Sequence, residues 1–222
     1  MSKDPSPSKL YSFVGKSWLR AFGWKLDGGP PNVKRAVVVA APHTSAWDFP
    51  FTMAVASALG IRISWMGKHT LFKPPFGSFF RWFGGLPVDR RANHNAVAAA
   101  AELIRSNDEL FLIVAPEGTR GKTTRWKTGF YYMALEAKVP IVLGYLDYEK
   151  KHGGLGELFY PTGDIEADMK QIRAFYANVR GKHPNRESEA EVAAPQKVPE
   201  QLPAQKVSEQ PSKPAPKPEL LN

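Results

Sequence analysis

The chain has 222 residues, 43% hydrophobic and 12% aromatic, which suits one globular domain with a sizeable core and excludes a wholly disordered chain. It has no cysteine, which excludes disulfides, thiolate metal sites and a cysteine nucleophile and fits a reducing compartment. A net charge of +9 and a pI near 9.7 imply anionic partners: phosphorylated small molecules, nucleic acid or anionic lipid.

Met1 to Ser8 reads as a frayed terminus, and no apolar core of a secretory signal stands near it. From Lys9 to Phe22 apolar residues recur at helical spacing (Leu10, Phe13, Val14, Trp18, Ala21, Phe22), with Lys9, Lys16 and Arg20 along one flank. Such a helix suits a membrane interface, where aromatic rings enter and cations meet lipid phosphate; it equally suits packing on its own domain. Asp27-Gly-Gly-Pro-Pro is a turn cluster, and the valine-rich segment Val33 to Ala41 predicts a buried strand. A helix is expected from about Phe49 to Leu59 and a strand from Ile61 to Met66. Gly67 to Gly85 mixes aromatics with turn residues, and Leu86 to Val88 reads as a short strand.

An alanine-rich helix is expected over Asn93 to Ser106, then a buried strand from Leu110 to Ala115. Phe130 to Lys138 reads as a helix, Pro140 to Leu146 as a strand, the region near Leu158 as a hairpin-like piece and Ile165 to Val179 as the last helix. Strands apolar on both faces that alternate with helices predict an α/β fold: a mixed, mostly parallel sheet covered by helices on both faces. From Pro184 onward the chain is Pro, Lys, Glu, Gln, Ser and Ala without an aromatic residue, so residues 184–222 are expected to be a disordered tail. Acids slightly outnumber bases in that tail, which assigns the positive excess to the folded part. The longest near-apolar stretch, Phe49 to Ile61, is shorter than the ~20 residues a spanning helix needs, so no membrane crossing is expected.

Two motifs fall just past strands, where open α/β sheets place their sites. The first is Ala-Pro-His-Thr-Ser-Ala-Trp-Asp-Phe-Pro, Ala41 to Pro50. His43 is of a type that takes a proton near neutrality, and Asp48 is a carboxylate able to orient it if the small Thr44, Ser45 and Ala46 let the loop curl back. The alternative is that Asp48 caps a helix, with Pro50 in its first turn, while His43 is an ordinary loop residue. The second motif is Glu117-Gly118-Thr119-Arg120. Gly118 permits a sharp turn, Arg120 offers a donor fork suited to phosphate, and Glu117 and Thr119 could bond substrate hydroxyls; a solvated turn is the bland reading. Lys68 and Arg90 are further cations at the same edge. No second histidine stands at metal-binding spacing from His43, so no metal is expected.

His-x4-Asp at His43 and Asp48, together with Pro116-Glu117-Gly118-Thr119-Arg120, resembles the glycerolipid acyltransferase family, which includes bacterial 1-acylglycerol-3-phosphate acyltransferases. Lys68, Leu71-Phe72, Pro75, Gly77 and Gly84-Gly85 through Arg90 resemble its second block, and Val139 to Val142 its fourth. Leu143 departs from that pattern, standing where a proline is common. The likeness spans about Val33 to Leu146 and implies a glycerol-3-phosphate acyltransferase-like fold. It further implies acyl transfer from acyl-CoA or acyl-carrier protein to a glycerol hydroxyl of a lysophospholipid. In that scheme His43 is the general base and Asp48 its orienter. Arg120 and Lys68 hold the acceptor phosphate, with Arg90 a further substrate-binding candidate, and Glu117, Gly118 and Thr119 shape the acceptor site. No cofactor is implied beyond the donor co-substrate. The expected organisation is an amphipathic helix over 1–32, a catalytic domain over 33–183 and a tail over 184–222. Peripheral contact with an anionic membrane on its cytoplasmic face is expected, and nucleic acid is not, since no nucleic-acid motif appears.

Overall fold

Residues 35–40, Arg-Ala-Val-Val-Val-Ala, form the central strand of the protein, whose computed structural model describes residues 9–88, 96–188 and 191–192. The β-branched run favours an extended chain, and alternate residues serve opposite faces of the sheet. Val37 and Val39 enter one core and Ala36 and Val38 the other, all at 2% exposure or less. A strand buried on both faces leaves no polar side, and its hydrophobicity is therefore continuous.

The elements in chain order are α1 (Lys9–Ala21), β1 (Lys25–Asp27), β2 (Arg35–Ala40), α2 (Asp48–Ala58) and β3 (Ile63–Lys68). A 3-10 turn (His69–Phe72), α3 (Gly77–Trp82), β4 (Gly85–Val88), α4 (Ala96–Ser106) and β5 (Leu110–Val114) follow. Then come β6 (Arg125–Trp126), α5 (Gly129–Ala137), β7 (Ile141–Asp147), β8 (His152–Phe159), α6 (Ile165–Tyr176), a 3-10 turn (Pro184–Arg186) and β9 (Glu191–Val192). Seven strands make one sheet in the order β1-β8-β7-β2-β5-β3-β4. The five from β7 to β4 run parallel, while β8 pairs antiparallel with β7 and β1 follows the direction of β8. This is the expected mixed, mostly parallel sheet. Helices α4, α5 and α6 cover one face through Ala101, Ile104, Phe130 and Ile172; α1 and α2 cover the other through Leu19, Phe51 and Val55.

Three elements add to or differ from the sequence reading. Helix α1, which was expected to face either a membrane or its own domain, packs on α2 through the buried Gly15 and Leu19, with Trp18 and Phe22 against Phe51, whereas Leu10, Phe13 and Val14 are 69%, 66% and 57% exposed. A Cβ on Gly15 would lie 2.5 Å from Ala54 O and 2.6 Å from Ala58 N, so only glycine allows this approach. Ser12 Oγ donates to Ala58 O and Ser57 Oγ to Tyr11 O, closing the helix pair. Secondly, β1 joins the main sheet through β8, so the segment before residue 33 supplies an edge strand as well as a helix. Thirdly, structure continues past Pro184, where a tail was expected to begin. The 3-10 turn at Pro184–Arg186 is followed by Glu187, which accepts from Gly181 N at 2.7 Å, and β9 pairs with β6. Residues 1–8, 89–95 and most of the expected tail lie outside the described residues. Among the described residues no helix is long and apolar enough to cross a membrane.

Candidate active site

Strands β2 and β5 lie side by side, Val39 opposite Val114, so the loops that leave their carboxyl ends are neighbours. His43 stands on the first loop and Glu117 on the second. Between them the structure builds a histidine held from two sides.

Asp48 is the first residue of α2, and the N-cap position is Trp47, which makes no side-chain cap bond. The carboxylate of Asp48 does not cap the helix but turns back over the preceding loop. Its Oδ2 accepts from Thr44 N and Ser45 N, each at 2.9 Å, and lies 3.1 Å from His43 Nδ1. Its Oδ1 accepts the Tyr148 hydroxyl at 2.8 Å. Asp48 is 4% exposed, and burial alone would disfavour its charge. The hydrogen bonds from His43, Ser45 and Tyr148 outweigh that, holding the carboxyl below its ordinary range. An ionised carboxylate therefore faces Nδ1, which orients the ring and favours the tautomer with its proton on Nδ1 and its lone pair on Nε2. The Tyr148 hydroxyl, beside this charge and partly buried, is pushed well above its usual range and stays a donor.

Glu117 holds the same histidine by its backbone. Both carboxylate oxygens accept His43 N–H, at 3.1 and 3.0 Å. Glu117 is 4% exposed, and burial, partly offset by the His43 N–H, raises its carboxyl to about 7. Past it the chain turns at Gly118 (φ +66°), a left-handed conformation suited to glycine, and Gly118, Thr119 and Arg120 are exposed. Thr119 Oγ1 accepts from Gly121 N at 3.2 Å, within its own turn. Arg120 forms no ion pair with the described residues and projects its charge into solvent. Lys68 closes β3, separated from β2 by β5, and Arg90 lies outside the described residues.

The structure thus joins His43, Asp48 and Glu117 and sets Arg120 on the adjoining loop. Glu117 reaches the histidine backbone, a contact that the sequence reading did not foresee when it placed this side chain towards substrate. Tyr148 was missed as well, because it lies 100 residues beyond Asp48 with no local pattern to mark it. Lys182 is the third addition: its Nζ lies 4.9 Å from the ring centre of Trp47 and 6.0 Å from that of Tyr148. The segment carrying it is tied to the His43 loop by His183 N, which donates to Thr44 Oγ1. Beside His43 and Asp48 a narrow apolar cavity of about 40 Å³ runs under α2, walled by Val38, Val55, Ile61, Ile113 and Leu155.

Fold and site together define an α/β protein whose sheet edge carries a histidine oriented by a carboxylate. Residues 26–143 match the family model for acyltransferases, a stretch that includes His43, Asp48 and Glu117 to Arg120. With more than half of its length matched, the chain belongs to the acyltransferase family. The 1-acyl-sn-glycerol-3-phosphate acyltransferase of Limnanthes douglasii is 28% identical over 130 residues, covering 56% of this chain and 45% of the relative. The enzyme of the same name from Cocos nucifera is 35% identical over 130 residues, covering 56% and 41%. The human 1-acyl-sn-glycerol-3-phosphate acyltransferase beta is 30% identical over 115 residues, covering 49% and 40%. The chain spans less than half the length of these relatives. The crystal structure of the 1-acyl-sn-glycerophosphate (LPA) acyltransferase PlsC from Thermotoga maritima aligns over 75% of each chain, with TM-score 0.56 and 21% identity, and shows a common fold.

Proposed function

We propose that this protein is a peripheral membrane O-acyltransferase that moves a fatty acyl group from an acyl-thioester to the free glycerol hydroxyl of 1-acylglycerol-3-phosphate, yielding phosphatidic acid. The observation that carries the reading is the His43–Asp48 pair at the end of β2, with its carboxylate held ionised. In this scheme Nε2 of His43 takes the proton of the acceptor hydroxyl as its oxygen attacks the thioester carbonyl. The proton is then available to the departing thiolate, and general-base help of this type is worth ~10²–10⁴-fold. Direct transfer suits a chain without cysteine.

Arg120 is assigned to the acceptor phosphate, with Lys68 and Arg90 as further cations and Gly118 and Thr119 shaping the loop. The donor is acyl-CoA or acyl-carrier protein, and the site is assigned to the cytoplasmic face of the membrane. Contact with that surface is supported by exposed apolar residues on both sides of the catalytic loop, among them Phe13, Phe76, Phe79 and Trp82.

The test is acyl transfer by the purified protein against a panel of lyso-lipids, phosphorylated and not, with each donor. Transfer is expected to favour 1-acylglycerol-3-phosphate. Arg120→Ala is expected to raise the KM for that acceptor roughly tenfold or more, the equivalent of one charge-assisted phosphate contact. Equal use of unphosphorylated acceptors, or an unchanged acceptor KM in the variant, would contradict the phosphate assignment.

A further inference from the structure

Pro42 and Glu117 also border a second cavity, of about 410 Å³, within the ~300–1,000 Å³ range of small-molecule sites. It lies against α6 and the loop that follows, and its walls carry Lys122, Arg173 and Arg180. Two carboxylates, Glu117 and Glu187, share the lining, so cations outnumber them. Glu187 is engaged: its Oε1 accepts Gly181 N at 2.7 Å and its Oε2 lies 3.5 Å from Arg180 Nη1. Burial keeps Glu117 partly protonated near neutrality, which leaves the cavity more positive than the plain count of groups. Arg173 is set by its Nε, which donates to Met169 O at 3.2 Å. The rings of Trp126 and Tyr176, 5.5 Å apart, supply an apolar wall. Positive charge beside an apolar wall matches a phosphate on an organic arm.

Pro42, the residue before His43, lines both cavities, one on the α2 side of the sheet and the other on the α6 side. One is apolar and lined by the catalytic pair; the other is cationic and lined by Glu117, which grips the His43 backbone. An acyl-thioester donor carries a phosphorylated arm that ends at the carbonyl to be attacked, so a cationic cavity bordering the residue before His43 is placed to hold the far end of that arm. We propose that the cationic cavity binds the 4′-phosphate end of the donor's phosphopantetheine arm through Lys122, Arg173 and Arg180. The inference rests on the acyl-transfer reading. It separates the two phosphates of the reaction, because Arg120 and Lys68 are not in this lining.

Calorimetry on the full chain tests it without turnover. Pantetheine, which lacks the phosphate, is expected to bind about tenfold or more weakly than 4′-phosphopantetheine. Lys122→Glu and Arg180→Gln should each weaken phosphopantetheine binding by about the same factor while leaving sn-glycerol 3-phosphate binding and the melting temperature unchanged. His43→Ala should bind phosphopantetheine as the wild type does. Coenzyme A binding more tightly than phosphopantetheine would support the site and name coenzyme A as the donor's carrier; tighter binding of holo acyl-carrier protein would support it and name that protein. Equal affinity for pantetheine and phosphopantetheine overturns the proposal, as does loss of glycerol 3-phosphate binding in place of phosphopantetheine binding. Phosphate-dependent binding by a protein that transfers no acyl group would sink the transfer reading and leave the site standing. Transfer without a phosphate preference in the arm would sink only the site.

Discussion

His43 is fixed twice, through Nδ1 by Asp48 and through its backbone N–H by Glu117, and the two carboxylates respond to pH in opposite directions. Asp48 is held below its ordinary range, so its contribution to stability is present above the unfolded value and is lost as pH falls into the acid range. Glu117 is raised from 4.5 to about 7, so the folded protein binds a proton there that the unfolded chain releases. Its contribution is therefore fullest below pH 4.5, declines through that window and is gone above about 7. Glu117→Gln keeps an acceptor for His43 N–H but cannot ionise. The stability of the variant relative to wild type should rise by on the order of 2–3 kcal/mol between pH 4.5 and 8, measured as urea midpoints. Parallel profiles would contradict the raised carboxyl. Tyr148→Phe removes one donor from Asp48 and should lower kcat about tenfold at most while moving the acid limb of the rate profile upward. An unmoved acid limb would mean that Tyr148 does not act through the carboxylate.

At the scale of elements, the α1–α2 contact is the most sensitive packing feature. Gly15→Ala adds helix propensity worth ~1 kcal/mol, yet its Cβ meets the α2 backbone. We expect a net loss of ~1–3 kcal/mol in denaturant unfolding, and a neutral or stabilising result would show that the helices can part freely. The same contact shows how far the sequence was legible. Periodicity located α1 but not its orientation, because close approach of backbones favoured Gly15 and Leu19 over the larger Phe13. The strands β2, β5 and β7 were legible because burial on both faces leaves unbroken apolar runs. Strand β1 was not, since Lys25–Asp27 has no pattern of its own and is a strand only because β8 offers it an edge. Helix α3 lay hidden among aromatics and prolines that read as turns. Of the site, the carboxyl edges of β2 and β5 were readable, whereas Tyr148 and Lys182 arrive from distant segments through the tertiary fold alone.

Across the whole molecule, aromatic rings extend from both sides of Asp48. One series runs from Trp47 to Phe22 and Trp18, the other from Phe49 to Phe83, Phe79 and Trp82. Trp82 is 80% exposed and Phe13 66%, and the chain carries +9, the combination expected to bind anionic lipid. Replacing both by serine should weaken sedimentation with anionic vesicles by about tenfold or more while leaving the melting temperature unchanged. Unaltered sedimentation would contradict a membrane contact through these rings. The proposed role of His43 as the base in acyl transfer is tested by a steady-state comparison of wild type with His43→Ala. With a saturating acyl-thioester and 1-acylglycerol-3-phosphate, kcat is expected to fall by at least ~10²-fold in a variant with wild-type circular dichroism. A folded His43→Ala protein that transfers acyl groups at close to the wild-type rate would contradict it.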